Sequence, residues 1–160
     1  MKERNATKKP MKYVDKLKRL KAIYAQVPTF DCLPDCGKCC GPMPVHPFEY
    51  RVINNYIKAN KLDIHIMTPL EHMALLKAIE DDPTVRQRLM HCSAQDPETM
   101  LCRIYPVRAL VCRMYGSVPE NPWNQVIDLV CPLKEQDPDK MMNPKKAYRL
   151  NQMVYDLEHW

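Results

Sequence analysis

The segment that decides how this chain folds lies between residues 32 and 42 and reads Cys32-Leu-Pro-Asp-Cys36-Gly-Lys-Cys39-Cys40-Gly-Pro42. Prolines and glycines interrupt any helical or strand period, so the segment is predicted to be a loop, and it holds four thiols within nine residues. Thiolates at such spacing can place two sulfurs around one zinc ion or one iron–sulfur cluster. The chain is therefore predicted to close around a metal.

A second group of four cysteines follows at Cys92, Cys102, Cys112 and Cys131. The side chains of the adjacent residues Cys39 and Cys40 should point in different directions. The two thiols are therefore suited to bind two neighbouring metal centres. Eight thiols divide into two four-thiolate sites, yet one site plus unligated or catalytic thiols uses the same number. All eight cysteines are candidate metal ligands, and the sequence leaves one centre or two open.

The rest of the chain predicts a mainly α, single small domain of helices packed around cysteine-rich metal-binding loops. Apolar spacing and cap-plus-proline signals predict helices over 11–27, 47–57, 69–80, a short stretch after Asp82-Pro83, and from Asn143 onward. The predicted parts are a basic amphipathic N-terminal helix (1–28), a cysteine-cluster metal-binding core (29–135) and a C-terminal helix packing on the core (136–160).

The chain begins with positive charge but without an apolar stretch behind it, so we predict no signal peptide. No run approaches the roughly 18 apolar residues of a membrane span. We expect a cytoplasmic protein without a membrane partner, whose thiols stay reduced. Disulfides, inert buried cysteines and a redox or nucleophilic thiol are the alternatives, and His91 is a further candidate ligand beside Cys92.

Residues 1–21 contain nine Lys/Arg and two acids, within a chain of net charge +5. Such a segment can contact an acidic partner or nucleic acid. It also carries an apolar stripe at helical spacing, predicted to pack on the body of the protein, at Val14, Leu17, Leu20, Tyr24 and Val27. We expect a protein partner of unknown identity, with nucleic acid contacted only through this basic segment.

A four-thiolate site carries a formal charge of about −2, so cationic neighbours should stabilise it. Arg103 and Arg113 directly follow candidate ligands, and Arg108 lies between them. We predict that at least one of these arginines lies next to the metal ligands. The alternative is that they pair with carboxylates on the surface.

The order of cysteines and the phrase Cys102-Arg-Ile-Tyr-Pro-Val-Arg108-Ala-Leu-Val-Cys112-Arg113 resemble the CxxCxxCC, or YkgJ-like, cysteine-cluster family of zinc- or iron-chelating domains. The resemblance spans roughly residues 30 to 135. Two departures are the three-residue gap after Cys32, where the family has two, and Ala109, where it commonly has proline. The resemblance implies a cysteine-ligated metal, places Tyr105 beside the arginines near it, and names no substrate.

Eight thiolates with few histidines suit clusters, and Cys131-Pro132 matches the Cys-Pro step of bacterial ferredoxins. We therefore favour one or two iron–sulfur clusters, 4Fe–4S in type, acting in electron transfer or as an accessory of a redox or modification enzyme. A zinc-stabilised protein- or nucleic-acid-binding module is the first alternative. An enzyme whose cluster keeps an open iron for substrate is the second, and no catalytic residue is predicted.

Overall fold

The computed structural model describes residues 10–29, 40–41, 43, 45–82, 84–85, 92–115, 117–118 and 138–159. The predictions about Cys32, Cys36, Cys39, Cys131 and His91 lie outside these residues.

The described residues include five α-helices and two short 3-10 helices. The α-helices are α1 (Tyr13–Tyr24), α2 (Pro47–Ala59), α3 (Pro69–Asp81), α4 (Leu110–Met114) and α5 (Pro144–Asp156), and the 3-10 helices are Tyr105–Val107 and Pro138–Lys140. The one β-type pairing in the described ranges is an isolated antiparallel bridge between Gln95 and Cys102. The predicted mainly α class is confirmed. None of the described helices has the length and apolarity needed to cross a membrane.

Local signals fix where three of these helices begin. Proline occupies the first turn of α2, α3 and α5, where its missing N–H costs no intrahelical hydrogen bond. At α3 the Thr68 hydroxyl accepts from the Glu71 N–H at 3.2 Å, and the Glu71 carboxylate accepts from the Thr68 N–H at 2.6 Å. This reciprocal pair is the capping box that the sequence predicts.

Replacing Thr68 with alanine is expected to lower the free energy of unfolding by about 1 kcal/mol, because the N-terminal N–H groups of α3 lose their side-chain acceptor. Urea denaturation measures the change. Thr68→Ser keeps the hydroxyl and is the matched control. Equal losses in the two variants would show that the hydrogen bond contributes nothing.

Helices from the two ends of the described chain share the larger hydrophobic cluster. Leu20, Ile23 and Val27 from the first helical segment pack with Leu150 and Val154 of α5. Phe48, Leu110 and Met114 join this cluster from the middle of the chain, and Met142, Ala147 and Leu157 also belong to it. We call it the end-helix core.

The predicted apolar stripe of α1 is wrong at Val14, which is 59% exposed. The buried face runs through Lys16, Leu20 and Ile23. Val14 lies two residues before Lys16, about 200° around the helix, and so faces away from the core. The aliphatic stem of Lys16 is covered instead, with its Nζ 6.0 Å from the centre of the Phe48 ring.

A second hydrophobic cluster lies beside the first and carries the cysteines. It is built on Ile53, Ile57, Ile66, Ala94, Ile104 and Ala109. Helix α2 belongs to both clusters, since Phe48 faces the end-helix core while Ile53 and Ile57 face the second one. We call the second cluster the cysteine-side core.

Candidate metal centre

Two of the predicted ligands face the same cavity. Cys92 and Cys112 line a space of about 190 Å³. Much of the rest of its described wall is apolar, with Ile53, Ile66, Met67, Ile104 and Ala109. Gly41, the residue after Cys40, also lines it. The structure therefore brings two thiols, and the backbone next to a third, to one largely apolar cavity.

A closed loop carries Cys92 and Cys102. The Gln95 N–H donates to the Cys92 carbonyl at 2.9 Å, and the Arg103 N–H donates to the Ala94 carbonyl at 2.9 Å. The Asp96 carboxylate accepts from the N–H groups of residues 98 and 99, which lowers the pKa of Asp96. These bonds fold the chain back so that both cysteines pack against the cysteine-side core.

The four described cysteines differ in their relation to the cavity. Cys40, Cys92, Cys102 and Cys112 are all half-buried thiols that are not joined in disulfides. Cys102 packs against the cysteine-side core, but it is not among the residues that line the cavity. Within the described part of the chain, no three His, Cys, Asp or Glu side chains gather closely enough to hold a metal ion.

The predicted arginines hold the backbone around the cavity. The Arg103 Nη2 donates to the carbonyls of Asp63 and Ser93 at 3.3 Å, and Ser93 lines the cavity. The guanidinium of Arg108 stacks on the Tyr105 ring at 3.9 Å from its centre. Arg103 and the two stacked side chains therefore shape the loops that lead to Cys92 and Cys112.

Arg113 anchors the helix that carries Cys112. Its Nε donates to the Arg108 carbonyl at 2.9 Å and its Nη2 to the Pro106 carbonyl at 2.8 Å. Its guanidinium also lies 4.0 Å from the centre of the Tyr24 ring. Burial lowers the pKa of Arg113, although an arginine stays charged. These bonds tie α4 to the 3-10 turn that precedes it.

A buried carboxylate joins α1, α2 and α4. Glu49 is 1% exposed, and its Oε1 accepts from the Tyr24 hydroxyl and from the Leu110 N–H, both at 2.6 Å. Burial raises the pKa of Glu49, and the hydrogen bonds from Tyr24 and Leu110 oppose that rise. Burial and the neighbouring Glu49 also raise the pKa of Tyr24, so the phenol keeps its proton.

Sequence reasoning missed Glu49. A signal was present, because Glu49 lies four residues before Ile53 and eight before Ile57, the spacing of one helix face. A carboxylate on a buried stripe requires partners, but the sequence does not reveal which groups supply them.

These features define a small helical protein in which half-buried thiols, shaped by arginine-held loops, meet at an apolar cavity. Cysteine-ligated metal sites are built from thiols brought together in this way. The family model CxxCxxCC, described as "Putative zinc- or iron-chelating domain", matches residues 31–137, more than half of the chain. The chain belongs to this family, which confirms the resemblance noted in the sequence. No curated protein and no solved structure matches it.

Proposed function

We propose that this protein holds an iron–sulfur cluster, 4Fe–4S in type, on its cysteine thiolates and serves electron transfer, alone or as an accessory of a redox or modification enzyme. The observation that carries the proposal is the cavity that Cys92 and Cys112 share. Family membership supports a cysteine-chelated zinc or iron. The cavity favours iron–sulfur between the two.

The size of the cavity supports a group of several atoms. A tetrahedral zinc lies about 2.3 Å from each thiolate sulfur, so its ligands close tightly around it. A cavity needs about 10–15 Å³ of such space to hold one water molecule, whereas this one measures about 190 Å³. The cavity that the two cysteines help to line is thus larger than one ion needs, and its size suits a cluster of iron and sulfide.

The residues around the cavity fit such a group in their chemistry. Cys92 and Cys112 would hold it, with Cys40 next to the wall formed by Gly41, and with further ligands from the other predicted cysteines. A bound cluster supplies one-electron transfer. The wall is largely apolar, and Arg108 and Arg113, on the segment that carries Cys112, would offset the negative charge of a bound cluster.

The test is anaerobic purification followed by iron, zinc and acid-labile sulfide analysis and a visible absorption spectrum. We expect iron and sulfide in equal amounts and a broad visible band that bleaches in air. Zinc alone, with a colourless protein, would contradict the iron–sulfur proposal and leave the zinc-stabilised module.

One observation favours a binding role for α1 in either case. Lys18 and Lys21 are exposed on this helix, while Leu20 and Ile23 hold its other face in the end-helix core. An exposed basic face attracts acidic surfaces, and its contacts weaken as salt rises. We propose that α1 meets an acidic protein partner.

A further inference from the structure

We infer that Glu49 is the positioning residue for the Cys112 thiolate. The inference rests on the proposed function, because it assigns how one ligand of that site is held. Glu49 lies on α2 and does not line the cavity. It acts through the hydrogen bond between its carboxylate and the first residue of α4.

Helix α4 lacks a cap of its own. It spans five residues, Leu110–Met114, and its N-cap residue Ala109 makes no side-chain hydrogen bond. The first N–H groups of a helix have no partner within it. The Glu49 carboxylate, 61 residues earlier in the chain, fills that place by accepting from the Leu110 N–H at 2.6 Å. Cys112 follows two residues later.

Water cannot take over this bond. Glu49 is 1% exposed and Leu110 is fully buried. A buried N–H without a hydrogen-bond partner costs about 1–3 kcal/mol of stability. A helix of one turn is only marginally stable, so it would shift to avoid this cost. The start of α4 therefore depends on the position of a side chain from α2.

Glu49 is itself held by its own helix and by α1. It is part of α2, and Tyr24 of α1 donates its hydroxyl to the same Oε1 at 2.6 Å. The acceptor that caps α4 is thus fixed by two helices that belong to the end-helix core.

Arg113 supplies the opposite anchor. It ties α4 back to the carbonyls of Pro106 and Arg108, and it lies over the ring of Tyr24, the same residue that bonds Glu49. Cys112 therefore lies between two anchors that meet at Tyr24. A thiol held in this way has its direction set before any metal binds, which lowers the entropic cost of ligation.

The test compares Glu49→Leu with Glu49→Gln in the full-length protein as purified. Glutamine keeps an acceptor oxygen for the Leu110 N–H, whereas leucine removes it and keeps a similar volume. The readout is the alkylation rate of Cys112 relative to Cys102, measured peptide by peptide with iodoacetamide. Loss of one buried hydrogen bond should raise this ratio about tenfold in Glu49→Leu. Glu49→Gln should stay close to the original protein.

A second readout is the rate at which a chelator removes the metal, which we expect to rise about 10–100-fold in Glu49→Leu. Glu158→Gln is the control for loss of a carboxylate, because Glu158 pairs with Arg51 at the surface. If Glu49→Leu does not fold, the same Cys112-to-Cys102 alkylation ratio is measured in Tyr24→Phe. An unchanged Cys112-to-Cys102 ratio in the folded variant overturns the inference. The alkylation ratio can be measured even if the protein binds no metal. A failure of the proposed function is therefore distinguishable from a failure of this inference.

Discussion

Replacing Phe48 with alanine is expected to lower the free energy of unfolding by about 3–5 kcal/mol, the largest stability effect of any single change proposed for this chain. Phe48 is fully buried in the end-helix core. Its ring lies 5.5 Å from that of Tyr13, and the guanidinium of Arg51 lies 5.4 Å from its centre. Alanine leaves a cavity and removes both contacts. Urea denaturation followed by circular dichroism measures the loss.

Leu70→Ala is the matched control, because it also removes a large apolar side chain from a helix. Leu70 is 80% exposed on α3, so its loss should change the free energy of unfolding by no more than about 0.5 kcal/mol. Similar losses in the two variants would mean that Phe48 is not part of the core that stabilises the chain.

Serine at Cys92 or at Cys112 is expected to reduce metal retention by about a hundredfold or more. Changes in residues that merely support a metal ligand already cost 10–100-fold, and a hydroxyl is a much poorer ligand than a thiolate for zinc or for iron–sulfur. Metal content per chain after gel filtration, together with the visible spectrum, measures the effect.

The control for these two variants is Met67→Leu, which changes a side chain on the same cavity without removing a thiol. It should retain its metal. Full metal content in both serine variants would show that the cavity between Cys92 and Cys112 is not the metal site. Loss in Met67→Leu as well would point to a change of cavity shape.

Helices α2, α3 and α5 were predictable because the signals that start them are local. Pro69 and Thr68 fix the beginning of α3 from four consecutive residues, and Pro144 does the same for α5. Which face of a helix is buried is decided by its neighbours. The apolar spacing of α1 therefore indicated the helix correctly but assigned Val14 to the wrong side.

The candidate ligands could be named from the sequence, whereas the contacts that hold them in place could not. Residue type and spacing are visible in the sequence, so Cys92 and Cys112 could be predicted as candidate metal ligands without the fold. The role of Glu49 depends on an N–H 61 residues away and a phenol 25 residues away. Contacts at such separations are created by the packing of α1, α2 and α4, and no local pattern in the sequence encodes them.

Helices α2 and α4 each contribute to both hydrophobic clusters, with Phe48 and Leu110 on one side and Ile53 and Cys112 on the other. A ligand that binds the folded chain alone stabilises it by mass action, by about 2.7 kcal/mol when its concentration is a hundred times its dissociation constant. Because the two clusters share these helices, metal bound by the cysteines would also stabilise the end-helix core. The melting temperature of the whole protein would then rise with the concentration of available metal.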